Sequence, residues 1–509
     1  MFTIFEVIVV IALALPIYFL SKLMTRPSIP KGLKPLQGPS GWPLIGNLFT
    51  IKEPLWSFLY KQTFKYGPLF KFTMGCRDIV VISSNKILSK ALKEKGIPFS
   101  GRWKNIIAIT LVHNSGILFT DGEWWATQRS FALKVLKDFG FGKQRSTEII
   151  SHECAFLLKE IEESCGKVIS ARSLFPKCTV NVIAKLAMNM RFERDTPNFK
   201  FLTANVERVA QNKNFIVTIL LMYPILEEYP RIAKLLLRFS GREQEFEEMH
   251  AHFRAIIEEH KKRFNVENEG EDFIDMFLRE KYELDNEKVL NHTFTDWQLV
   301  RVIFELFVAG YETTSTTLTW TMILMAKNLE IQDKVHKEIV NIIGSERIPN
   351  VSDKKSLPYT QAVMDEIFRV TSVVPLSLPH RLLENSEING TFIPKNSIIF
   401  PNLYACHRDA EVWKRPFEFY PEHFLTEESN GSIKYSPMDE LVPFSIGKRQ
   451  CLGEALARME FFIFFTSIMQ RFKVKFEKEI SVDAYAKMTM GTDGTIRAPL
   501  SSDVVFEIR

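Results

Sequence analysis

Phe444-Ser-Ile-Gly447-Lys448-Arg449-Gln-Cys451-Leu-Gly453 runs straight into Glu454-Ala-Leu-Ala-Arg-Met-Glu-Phe-Phe-Ile-Phe-Phe465, a stretch with the character of a helix. A cysteine just ahead of a helix meets the positive end of the helix dipole and free backbone N–H groups, and both lower its pKa toward thiolate. Gly447 and Gly453 lack a Cβ and let the backbone approach a flat cofactor closely. Arg449 stands two residues before the cysteine and can meet a carboxylate of that cofactor. A lone cysteine at a helix start is ordinarily a buried small hydrophobe. Here the length of the flanking pattern, beginning at Phe444, favours a ligand.

Working outward, Ala309-Gly310-Tyr311-Glu312-Thr313-Thr314 lies within an apolar-periodic stretch that a Thr295…Gln298 capping box starts. A helix from Asp296 to Lys327 is about 48 Å long at 1.5 Å per residue and crosses a whole domain. A mid-helix glycine costs about 1 kcal/mol. That cost points to a need for space, with Glu312 and Thr313 placed to relay protons. Close packing of Ala309-Gly310 on another helix is the competing explanation. Glu366-Ile-Phe-Arg369 places acid and base on one helix face. Trp125-Ala-Thr-Gln-Arg129, on a helix started by Asp121, joins an indole N–H and a guanidinium in a carboxylate clamp. Trp in the core with Arg at the surface is the plainer arrangement.

The remaining chain sets the frame. Its 509 residues are 46% hydrophobic and include 42 Phe, enough for a large core. The net charge of +5 is too mild for nucleic acid to be a partner. Six cysteines without a CxxC pair argue against a disulfide framework and for a reducing compartment. Residues 1–21 read as a membrane anchor helix, with basic Lys22, Arg26, Lys31 and Lys34 behind it. That order disfavours a cleaved signal and places the remaining chain in the cytoplasm. Residues 22–46, rich in proline, read as a stiff hinge, and 47–509 as one catalytic domain.

Amphipathic stretches at Glu148–Ser164, Arg231–Asn265, Phe294–Lys327 and Glu454–Phe472 dominate that domain. Strand-like runs at Leu69–Thr73 and Ile79–Ile82, and an Asn389-Gly390 hairpin, complete it. Asn389-Gly-Thr391 is also a glycosylation sequon, which a cytoplasmic body leaves unused. The fold class is mainly α with a small β-rich part (α+β).

Taken in order, these motifs resemble the cytochrome P-450 superfamily over nearly the whole chain. FSIGKRQCLG matches its haem-ligand signature, Ala309–Thr314 its oxygen-binding helix, and Glu366 with Arg369 its ExxR pair. FEFYPEHF at Phe417–Phe424 completes the last of these, with His423 where Arg is usual. FSGR at Phe99–Arg102, PHR at Pro379–Arg381 and NLYACHRDAEVW at Asn402–Trp413 point to the animal microsomal, family-two clan.

The resemblance implies haem b ligated by Cys451, with Arg102, Trp125, Arg129, His380 and Arg449 on its propionates. It implies a monooxygenase that puts one atom of dioxygen into an apolar substrate (a steroid, fatty acid or xenobiotic) and releases the other as water, with Glu312 and Thr313 delivering protons. Electrons would come from NADPH–cytochrome P-450 reductase, with cytochrome b5 as a candidate second donor, at the endoplasmic reticulum membrane. Arg129, Lys134, Lys137, Lys448 and Arg449 are a candidate docking surface. Substrate contacts would come from Trp103–His113, Val206–Ile219, Phe304–Thr313, Val374–Leu378 and Met488–Gly491, with Ile106, Ile107, Ile109, Phe215, Val217 and Phe307 among them. A thiolate-haem isomerase or dehydratase is disfavoured by Glu312-Thr313. A haem carrier or gas sensor is disfavoured by the same pair and the anchor, and a structural protein by the number of matching motifs.

Overall fold

A computed structural model describes residues 28–105, 108, 110–138, 144–193, 196–211, 215–429 and 431–509. The anchor expected at 1–21 and the side chains of Ile106, Ile107, Ile109 and Phe215 lie outside what it describes. Helices of eight or more residues are α1 (Leu55–Tyr66), α2 (Gly122–Asp138), α3 (Gln144–Ser164), α4 (Ala171–Met188), α5 (Pro197–Gln211), α6 (Phe215–Met222), α7 (Pro230–Phe239), α8 (Arg242–Arg263), α9 (Phe273–Asn286), α10 (Asp296–Lys327), α11 (Leu329–Ile343), α12 (Pro358–Thr371), α13 (Glu454–Arg471) and α14 (Val482–Met490). The chain is mainly α with separate small sheets.

The long helix α10 is the axis. Thr295 caps it by accepting from the Gln298 N–H, as the spacing predicts. The reciprocal half of the capping box is absent. The Gln298 side chain instead binds both the N–H and the carbonyl of Gly116 and accepts from the Trp124 indole. On the same helix, Glu305 accepts from the Ile117 and Leu118 N–H groups and pairs with Arg301 at 3.1 Å. The loop before α2 is thus tied to α10 by buried polar groups as well as through the apolar core that Ile117 joins.

The amphipathic stretch Arg231–Asn265 is not one helix. Gly241, at φ +75°, breaks it between α7 and α8.

Strands β1 (Leu69–Met74), β2 (Arg77–Ile82), β3 (Gly101–Arg102), β5 (His380–Arg381) and β8 (Ile398–Pro401) form one sheet in the order β1-β2-β8-β5-β3. Its edge pairing sets Arg102 directly opposite His380. A second sheet joins β4 (Val168–Ser170), β9 (Phe472–Lys475) and β10 (Asp503–Ile508). Asn389-Gly390 turns the hairpin of β6 (Ser386–Ile388) and β7 (Thr391–Ile393), both residues at positive φ as a two-residue turn requires. Within the proline-rich stretch, Lys34 exchanges backbone hydrogen bonds with Gly390 and Phe392, and the Gln37 carbonyl accepts from Lys71.

Candidate functional site

The loop before α13 is folded back on itself. The Cys451 N–H donates to the Phe444 carbonyl at 3.0 Å, and Ser445 and Gly447 take positive φ. Phe444 packs against Phe368 of α12 with ring centroids 5.5 Å apart. A Cβ on Gly447 would fall on the Leu92 carbonyl oxygen, so loop packing by itself already requires glycine here. Gly453 has open space where its Cβ would lie, as a flat ligand needs.

The Cys451 thiol is an exception to the dipole argument. Burial pushes it up, outweighing the Gly453 and Glu454 N–H groups and the Arg129 charge that pull it down. The polypeptide alone therefore does not preset a thiolate; coordination to a metal would do so. Cys451 lies deep in the molecule yet keeps open surface around it, whereas Cys76, Cys154, Cys178 and Cys406 are closely packed and Cys165 half-buried.

A cluster of cations lies beside this loop. Arg449 donates to the carbonyls of Ser100, Ile117 and Thr120 and to Asp121 at 2.9 Å, and stands 3.8 Å from the Trp125 ring centroid. It is buried, so it forms no part of a docking surface, and burial together with Arg102 pulls its pKa down to about 9. Arg102, also lowered by burial, to about 10, donates to the Leu378 carbonyl. Arg129 reaches the Gln450 carbonyl at 2.6 Å. Asp121, which immediately precedes α2 as expected, also serves this cluster. Its carboxylate takes Arg449, Arg381 and the Arg102 N–H.

Arg102 and Arg449 thus share the single Asp121 carboxylate, with Arg129 as a third cation beside them, and buried polar atoms around them lack partners: Arg102 Nε, Trp125 Nε1 and His380 Nε2. His380 Nδ1–H donates to the Phe99 carbonyl, and burial near Arg102 drives its pKa well down. The unmatched N–H groups of Arg102 and Trp125 and the excess positive charge fit a ligand carrying carboxylates, while Nε2 of the neutral His380 ring would donate to such a group only once protonated.

Along α10 almost every residue from Gln298 to Ala326 is buried, yet Ala309 is exposed and Thr313 half-exposed. Thr313 donates its hydroxyl to the Ala309 carbonyl at 2.8 Å, leaving its oxygen free to accept. Gly310 departs from expectation, because its Cβ would meet Ile183 of α4 at 3.1 Å. Its smallness serves the contact between α4 and α10.

Glu312 points elsewhere than Thr313. It is buried, and burial lifts its pKa to about 7 against the pull of Arg172 and the Tyr311 hydroxyl. Arg172 pairs with Glu207 at 2.5 Å on the outer side. Neither residue is legible from local spacing, since α10, α4 and α5 bring them together only in the fold. Phe307, expected in the pocket, is fully buried against Phe253 and Phe192. Val217 is buried with Leu111, Leu220, Ala233 and Leu237.

Glu366 and Arg369 form a fully buried pair at 2.7 Å. The guanidinium also donates to the carbonyls of His407, Pro416 and Glu418. Glu366 in turn accepts from the Tyr420 N–H and His423 Nδ1, so His423 engages the same carboxylate.

The cytochrome P450 family model matches residues 36–494. The chain is 35% identical to chicken (Gallus gallus) cytochrome P450 2H1 over 88% of its own length and 89% of that protein's. It is 34% identical to rabbit (Oryctolagus cuniculus) cytochrome P450 2B4, over 86% and 87% of the two chains, and to rat (Rattus norvegicus) cytochrome P450 2D3, over 86% of each. The chain belongs to the cytochrome P450 family. As a cytochrome P450 it is a haem-dependent monooxygenase, and haem b is the carboxylate-bearing flat ligand that the cation cluster and the open face at Gly453 fit. Among the described residues of this P450 no helix is long and apolar enough to cross a membrane.

Proposed function

We propose that Cys451 would supply the thiolate that holds the haem iron, that Ala309 and Thr313 would line the space for bound oxygen and substrate, and that Arg102, Trp125, Arg129, His380 and Arg449 would hold the haem carboxylates. The observation that carries this reading is the pair of unpartnered buried N–H groups on Arg102 and Trp125 within the arginine cluster beside the cysteine loop. Haem with a thiolate ligand supplies oxygen activation. The chain's own residues hold the group, exclude water and move protons. The free lone pair of Thr313 Oγ1 takes a hydrogen bond from a bound molecule, and Glu312, half neutral near pH 7, resupplies protons from the Arg172–Glu207 side. The reduced, carbon monoxide-bound spectrum of the purified protein tests the assignment, and a Soret band of the histidine-ligated type from intact protein would overturn it.

Thr313→Ala should uncouple turnover: NADPH oxidation continues while product falls about tenfold and hydrogen peroxide rises. Unchanged product per NADPH would remove Thr313 from proton delivery. Glu312 donates only when protonated, so coupled turnover should fall as pH rises through about 7. Glu312→Gln should flatten that dependence, and an identical profile in the variant would exclude the carboxyl.

The substrate is apolar, on the support of Val374, Leu376 and Leu378 standing half-buried after α12. Electrons come from an NADPH-dependent flavoprotein reductase docked on the cysteine side, where Lys134, Lys137 and Lys448 are exposed. Reversing Lys134 and Lys137 to Glu should lower reductase-driven turnover several-fold at low salt and less at high salt. Equal turnover in both salts would remove these lysines from the docking face. Residues 1–21 anchor the protein in the endoplasmic reticulum membrane, with residues 47–509 as the catalytic domain. Exposed Tyr229, Ile232, Leu235 and Phe239, along and beside α7 among Arg231, Lys234 and Arg238, support contact with a lipid surface.

A further inference from the structure

Arg497 is buried, 6% exposed, with no carboxylate against it among the described residues. Burying a cation in this way is costly, and an apolar residue would fill the space more cheaply. What a guanidinium adds is a rigid fork of donors. Nη1 donates to the Thr371 carbonyl at 2.6 Å, Nη2 to Thr489 at 2.5 Å and Nε to Met490 at 3.4 Å. Its backbone N–H donates to Val373 at 2.8 Å, and its carbonyl accepts from the Trp320 indole of α10 at 2.8 Å. The flat group lies 4.5 Å from the Trp320 ring centroid and 5.0 Å from that of Trp56.

One side chain therefore clamps chain segments far apart in sequence, the end of α12 and the end of α14. Both lead into stretches that the family resemblance implies line the substrate space, Val374–Leu378 and Met488–Gly491. The first is tethered at its far end too, because the Leu378 carbonyl accepts from Arg102. Between the tethers, Ser372 and Ser377 stand at φ +41° and +53°. Side-chain-bearing residues rarely adopt this backbone, which persists only when its surroundings enforce it. On the other segment, a Cβ on Gly491 would meet Arg497 Cγ at 2.7 Å.

We infer that Arg497 is a specificity-positioning residue, a spacer that fixes the separation of two walls of the substrate cavity and so the size and attitude of what reaches the haem. This rests on the haem-pocket reading above. The holoenzyme and its Arg497→Met and Arg497→Lys variants should be titrated with imidazole and with a bulky N-benzyl imidazole, following the nitrogen-ligation shift of the Soret band. Imidazole needs only the iron, so its Kd should stay within about twofold. The Kd of the bulky azole should move about tenfold in Arg497→Met and less in Arg497→Lys, which keeps a cation but not the fork. Equal shifts for the two azoles, or none, in variants that retain the thiolate-type carbon monoxide spectrum would overturn the inference. If neither variant folds, hydrogen exchange on the wild type decides. Amides of 371–378 and 488–491 should open together and gain protection together with the bulky azole, and independent opening refutes the clamp. A wild type that gives no shift with imidazole fails the haem-pocket reading instead.

Discussion

Cys451→Ser should yield a folded protein that has lost the thiolate-type carbon monoxide spectrum and all measurable monooxygenase turnover. The contacts that shape the loop belong to its backbone: the Cys451 N–H to Phe444, Gln450 to Gly447, and positive φ at Ser445. Serine keeps all of them, and its oxygen still accepts the N–H groups that point at the sulfur. The thermal midpoint of the cofactor-free chain should therefore change by no more than about 1 kcal/mol in equivalent stability. The iron ligand, by contrast, is changed from a soft polarisable sulfur to a hydroxyl that stays protonated near neutral pH. Spectrum and melting curve together separate a ligand from a packing residue. A retained thiolate-type band would show that another residue ligates the iron, whereas a collapsed melting curve would show that the cysteine is structural.

Arg369→Met should be more damaging to the protein, though it touches no reacting atom. The substitution leaves Glu366 fully buried with only the Tyr420 N–H and His423 to satisfy it, and orphans the carbonyls of His407, Pro416 and Glu418. Removing one partner of such a pair costs about 3–5 kcal/mol, a large part of the roughly 5–15 kcal/mol that holds a domain together. The expected result is a chain recovered mostly unfolded or without haem at 37 °C, with a urea midpoint far below the wild type. Arg369→Lys should rescue little, since one ammonium cannot span a carboxylate and three carbonyls. A urea midpoint within about 1 kcal/mol of wild type for Arg369→Met would mean that the pair is dispensable.

What could be read ahead of the structure followed from how local each signal is. The Asn389-Gly390 turn, the Thr295 cap and the spacing of Glu366 with Arg369 are decided within a few residues, and each appears as expected. Expectation and structure part where a residue's role is set by something distant in sequence. Gly447 is a glycine because of Leu92, and Gly310 because of Ile183. The Gln298 side chain holds Gly116 in place of completing its capping box, and Asp121, at the start of α2, serves arginines from three other segments. Phe307 has the composition of a pocket residue, but its place on α10 turns it into the core. The charged neighbours of Glu312 are Arg172 and Glu207, which no motif flags. Likewise the Cys451 thiol obeys its burial more than the helix end beside it, a balance that only three-dimensional placement reveals.

The unequal charge around Asp121 bears on how this protein comes into being. Arg102, Arg129 and Arg449 repel one another inside the molecule, and each depresses the readiness of its neighbours to stay charged. A ligand that brought anionic groups to that spot would relieve the repulsion and, by binding the folded chain alone, would stabilise it. The prosthetic group would then serve as the missing counter-ion of this interior.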